Sequence, residues 1–160
     1  MFQNPNAAYL NSGPSNIPSP LNIGLENSRR FRALPVYSVL LAYGLSGFRD
    51  IFIRQTRLAR AVAHFLQSSN EYELLQELVV DDYRDIHISV LFRVKDEKLN
   101  EVLGKKINDT RKIYVSGTKW EGRPACRIAV STWKVDVERD TKIVVDVLEG
   151  IIRGAEMSTL

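Results

Sequence analysis

The chain has 160 residues, 44% hydrophobic and 26% charged, with a net charge of +3 and a pI near 9.1; that is enough apolar material for one core and far from a histone-like tail. One cysteine, Cys126, excludes an internal disulfide and fits a reducing, cytoplasmic setting, and with His64 and His87 far apart no zinc-ligand spacing exists. No apolar run reaches the roughly 20 residues of a bilayer span, and the opening MFQNPNAAYL lacks the basic-then-apolar order of a secretory leader.

Residues 1–28 hold four of the six prolines and six asparagines, the composition of an extended, mobile segment. Arg30 to Tyr43 then reads as a helix closed by Gly44, with Pro35 predicting a kink near its start. In SGFRDIFIRQTRLARAVAHFLQSS, apolar residues from Phe48 to Leu66 recur every three or four positions. Gln55 is the one polar residue on that stripe, and Arg49, Arg54, Arg57 and Arg60 lie off it, so an amphipathic helix follows. The period then drops to two. DIHISVLFRV alternates Ile86, Ile88, Val90, Phe92 and Val94 with other residues, and EYELLQELVV reads as its partner strand. EKLNEVLGKKINDT is a short helix. KIYVSGTKW and ACRIAVST are strands joined by a turn at EGRP. The last helix starts after Asp136, a good N-cap, with Val137, Thr141, Val144, Leu148 and Ile151 inward. Short turns between strands predict antiparallel pairing, with helices covering one face and the second and last helices bracketing the sheet: an α+β domain.

SRRFRALPVYSVLLAYG followed by GFRDIFIRQTRLARAVAHFL resembles the pyridoxal-phosphate-dependent (group II) amino acid decarboxylases, the family of the aromatic-L-amino-acid, tyrosine and glutamate decarboxylases. CRIAVSTWKVDVERD looks like that family's final strand and its turn into the last helix, and NAAYL looks like the tip of its mobile active-site loop. The resemblance implies a fold-type-I homodimeric enzyme of which this chain is the C-terminal part: residues 1–28 an active-site loop segment, 29–69 helices linking large and small domains, 70–160 the small domain. It also implies that the lysine holding pyridoxal phosphate lies upstream of Met1, because no lysine here has the family's HK context, so the chain alone is expected to be inactive.

On that resemblance Tyr9 is the catalytic candidate, a loop phenol that returns a proton to Cα after decarboxylation. Arg127 is the substrate-binding candidate. Alternation places Arg127, Ala129 and Ser131 opposite Ile128 and Val130, and a mid-strand arginine needs either a carboxylate or open solvent. Its planar fork suits a carboxylate, of a substrate or of a structural salt bridge equally. Arg29, Arg30 and Arg32 crowd a helix N-terminus, where positive charge is unfavourable, and are expected to form structural or interfacial ion pairs. Two other readings exist. One is a non-catalytic dimerisation or regulatory partner of a full-length decarboxylase. The other is a basic RNA-binding module, because seven arginines face one acid, Asp50, between Arg29 and Arg60. Against the latter, no strand carries an aromatic stacking motif, so neither nucleic acid nor membrane is expected as a partner.

Overall fold

The computed structural model describes residues 31–78 and 83–157. Tyr9, Arg29 and Arg30 lie outside them, as does the whole of the 1–28 loop segment with its expected mobility. The coordinates separate into two units, Met1–Gly44 and Leu45–Leu160. Helix α1 runs Ala33–Ser68, interrupted at Gly44, whose backbone (φ 62°, ψ −176°) is one that glycine adopts without penalty. Pro35 falls in its first turn, where a missing N–H costs nothing, so no break occurs there.

In the first unit the helix is apolar on every side and exposed, with Leu34, Val36, Tyr37, Leu40 and Leu41 all uncovered. An 18-residue window of α1 has a mean hydropathy of 1.3 and none of it is buried, so by length and composition this helix could cross a membrane. The sequence reading weighed unbroken apolar runs and not this window, which contains the break at Gly44.

In the second unit the expected stripe is covered only from Gln55 onward. Leu58, Ala59, Val62, Ala63 and Leu66 are buried, whereas Phe52 is 57% exposed. The polar residue on the stripe has a purpose: Gln55 Nε2 donates to the Thr132 carbonyl at 3.0 Å. Arg54 donates to the Val135 carbonyl at 2.7 Å, and Arg60 to those of Ile86 and Arg84. Half of this helix's arginines therefore hold loop backbone.

The sheet comprises β1 (Tyr72–Leu74), β2 (Ser89–Val94), β3 (Ser116–Trp120) and β4 (Arg123–Ala129), ordered β1-β2-β4-β3 and wholly antiparallel. β1 is much shorter than the expected strand. Past Leu75 the Gln76 amide replaces main chain, accepting from Leu91 N at 3.0 Å and donating to the Ser89 carbonyl at 3.1 Å. β2 likewise starts at Ser89 rather than Asp85, because Arg60 occupies the Ile86 carbonyl. Between β2 and β3, α2 (Glu97–Asp109) is capped by Asp96, which accepts from Leu99 N at 2.7 Å. Helix α3 (Val137–Met157) begins as expected. Asp136 Oδ1 accepts from Arg139 N at 3.0 Å, and Asp140 reaches back to Asp136 N.

One core joins α1, α2 and α3 to one face of the sheet. Val62, Leu66, Leu103, Ile107 and Leu148 meet Val90, Phe92 and Val94, all almost fully buried. Tyr72 stacks edge-on against Phe92 with centroids 6.0 Å apart and donates to the Leu148 carbonyl at 2.9 Å.

Candidate functional site

With the helices on one face, the other face of the sheet is set by alternation along each strand. It carries Glu73 on β1, Leu91 and Arg93 on β2, Arg123, Ala125, Arg127 and Ala129 on β4, and Ser116, Thr118 and Trp120 on β3. The expected alternation in β4 holds: Ile128 and Val130 are buried, while Arg127, Ala129 and Ser131 are exposed.

Three arginines stand on this face and they are treated differently. Arg93, 7% exposed, makes a two-pronged pair with Glu73 at 2.6 and 3.0 Å. That hydrogen bond is the main reason the Glu73 carboxyl is held below its usual range, against the opposing cost of burial. Arg123 meets Glu97 at 3.2 Å. Arg127 has no carboxylate partner among the described residues. Its Nε donates to the Ser116 hydroxyl at 3.2 Å, across the register Leu91–Arg127–Ser116. The salt-bridge alternative for Arg127 therefore has no support in the described residues.

Sequence reading singled out Arg127 but not Arg93, Glu73 or Ser116. The Arg93–Glu73 pair was within reach, since alternation puts Glu73 between inward Tyr72 and Leu74, as Arg93 lies between Phe92 and Val94. Ser116 gave no signal, because a serine in a short polar strand looks like solvent-facing filler. Of the arginines expected at the start of α1, Arg32 is described and exposed; Arg29 and Arg30 are not described.

Pyridoxal phosphate is the group the resemblance implies. It needs a lysine shielded from water. All eight lysines (Lys95, Lys98, Lys105, Lys106, Lys112, Lys119, Lys134 and Lys142) are exposed. Lys95 is bound to the Asn70 carbonyl, Lys105 to Asp109, and Lys134 lies over Trp133. Among the described residues no lysine is shielded from water within this chain, and no group of three or more His, Cys, Asp or Glu could hold a metal.

The fold has solved counterparts. Residues covering 82% of this chain superpose on 28% of an Oryza sativa TDC solved with PLP and tryptamine, at a TM-score of 0.67 and 20% identity. A Catharanthus roseus tryptophan decarboxylase in complex with L-tryptophan matches at 0.62 and 19% identity, covering 78% of this chain and 27% of that one. This is the α+β architecture found in part of the fold-type-I pyridoxal phosphate decarboxylases. An 8-amino-7-oxononanoate synthase from Francisella tularensis also matches, at 0.52, so the fold by itself does not select decarboxylation.

Sequence narrows it. The chain is similar to the aromatic-L-amino-acid decarboxylases: 28% identical to that of Sus scrofa over 70% of this chain, and 26% to that of Bacillus atrophaeus over 75%. It is 31% identical to the Cavia porcellus enzyme over 54%. It spans about a fifth of the length of the curated relatives it matches, 22% for the Sus scrofa enzyme. No family profile matches the chain.

Proposed function

We propose that this chain is the C-terminal part of a cytoplasmic, homodimeric, pyridoxal-phosphate-dependent amino acid decarboxylase, a carboxy-lyase that releases carbon dioxide from an L-amino acid and leaves an amine. The observation that carries this reading is the run of relatives of one activity, from mammals, an insect and a bacterium, over more than half of the chain in each case. The apolar residues left uncovered in the first unit, Leu34, Val36, Tyr37, Leu40 and Leu41, support it, since they need the rest of an enzyme to shield them from water. The exposure of every lysine within this chain is in keeping with a cofactor lysine supplied from elsewhere in the enzyme. The substrate class that follows from the relatives is the aromatic L-amino acids. The membrane and RNA readings are less well served. The apolar stretch is broken at Gly44, and Arg54 and Arg60 are committed to backbone carbonyls.

In this reading Arg127 takes the substrate through a carboxylate, and Tyr9 delivers the proton that Cα requires once carbon dioxide has left. The assay is an exchange enzyme, the Sus scrofa decarboxylase with its matching segment replaced by this chain. Carbon dioxide, amine and carbonyl product are measured from one reaction. Arg127→Ala is expected to lower kcat/KM by about tenfold or more, from the about 1.5–3 kcal/mol of a charged hydrogen bond. Tyr9→Phe is expected to cut amine formation while part of the carbon dioxide release persists. Unchanged kinetics in either variant removes that residue from the site.

A further inference from the structure

We infer that Ser116 is the positioning residue for Arg127: its hydroxyl anchors Nε and turns the two terminal nitrogens of the guanidinium outward as a fork for the carboxylate of an amino acid. This rests on the reading above, in which Arg127 meets the substrate.

The contrast among the three arginines is the first support. Glu73 and Glu97 neutralise Arg93 and Arg123 from within the chain, whereas Arg127 is held by a group with no charge. A hydroxyl can fix a guanidinium without consuming its charge; a carboxylate at position 116 would compete with any ligand. A guanidinium carries five N–H donors, so an anchor on Nε leaves four on the two terminal nitrogens, in the geometry that meets a carboxylate end-on.

The second support is that the anchor is itself fixed. Ser116 and Arg127 are direct cross-strand partners, close enough that neither side chain has to reach. The residue before Ser116 is clamped by Asn108, which donates to the Val115 carbonyl at 3.0 Å and accepts from Val115 N at 2.8 Å. Val115 is 1% exposed and anchored in the core. Helix α2 thus sets where β3 begins, and β3 sets the guanidinium.

The third support is space. The same-face neighbours of Arg127 along β4 are Ala125 and Ala129, and Thr118 lies diagonally opposite on β3. On the β3 side and along β4 small side chains leave the fork accessible, Leu91 flanks it on the β2 side, and Arg127 is exposed. A pre-oriented fork also loses less freedom on binding than a waving one.

The test uses the 160-residue chain with ¹⁵N-labelled arginine, titrated with acetate and followed at the Arg127 Nε–Hε signal. Ser116→Thr and Ser116→Val match in shape and strand preference and differ in the hydroxyl. In the wild type and Ser116→Thr, Hε is expected to exchange slowly with water and to shift with acetate. In Ser116→Val, loss of one hydrogen bond is expected to speed exchange about fivefold and to halve the acetate response. Arg93, already paired with Glu73, is the internal control and stays still. Equal exchange and equal titration in the Thr and Val variants would overturn the inference, as would a wild-type Arg127 indifferent to acetate. Because neither cofactor nor the rest of an enzyme takes part, a failed exchange enzyme beside a positive titration counts against the decarboxylase reading alone.

Discussion

At the scale of single residues, the uncovered face of the sheet depends on the Arg93–Glu73 pair. Arg93 is almost wholly buried, and among the described residues one of its terminal nitrogens, Nη1, has no hydrogen-bond partner, so Glu73 is its main compensation. Removing one member of a buried pair costs on the order of 3–5 kcal/mol. Glu73 is 43% exposed, which lowers the figure through solvent screening to about 2 kcal/mol for Glu73→Gln. The pH dependence has a definite sign. The Glu73 carboxyl is lowered from its reference value of 4.5, so the stability it contributes is complete above that value and is lost as pH falls through the lower folded value. Urea unfolding of wild type and Glu73→Gln at pH 7 and pH 3 checks both points. The difference is expected to be about 2 kcal/mol at pH 7 and to narrow at pH 3. A constant gap would remove the ion pair as its cause.

At the scale of elements, the hairpin between β3 and β4 turns in two residues, Glu121 (φ 49°) and Gly122 (φ 76°), both left-handed. This is the tight turn whose twist matches the flanking strands, and it favours Asn-Gly. Gly122 adopts its angle freely; Glu121 does not. Glu121→Asn is expected to raise the unfolding free energy by about 0.5–1 kcal/mol, read as an upward shift in Tm. No shift, or a fall, would mean that Glu121 contributes through its charge, which lies near Arg93.

The same element shows where sequence reading stops. The turn was expected over EGRP, with Arg123 and Pro124 inside it. Both are strand residues, because Pro124 sits where β4 tolerates a missing donor. Helix α2, helix α3 and the Asp136 cap were legible because their periodicity and capping residues are local signals. The early end of β1 and the late start of β2 were not. They are decided by Gln76 and Arg60, side chains that satisfy backbone groups 13–26 residues away. For the same reason Arg127 was legible through alternation on its own strand, while Ser116 depends on which strand pairs beside it.

At the scale of the molecule, the second unit completes one core, and both units leave apolar side chains uncovered. The core behind the sheet is closed by α1, α2 and α3. Each unit by itself leaves apolar residues uncovered: Leu41 is 68% exposed in the first, and Leu45 is 86% exposed in the second. Single exposed apolar residues are ordinary, but a helix that is apolar on every side needs a cover. The relatives are about four to five times as long as the segment matched here, and they share one named activity.

The central claim, that this chain does the work of the corresponding part of a decarboxylase, is tested most directly by carbon dioxide release from the exchange enzyme. The account predicts pyridoxal-phosphate-dependent release from an aromatic L-amino acid, abolished when the segment is deleted. An exchange enzyme that folds, dimerises and takes up the cofactor, yet releases no carbon dioxide from any amino acid offered, would contradict it.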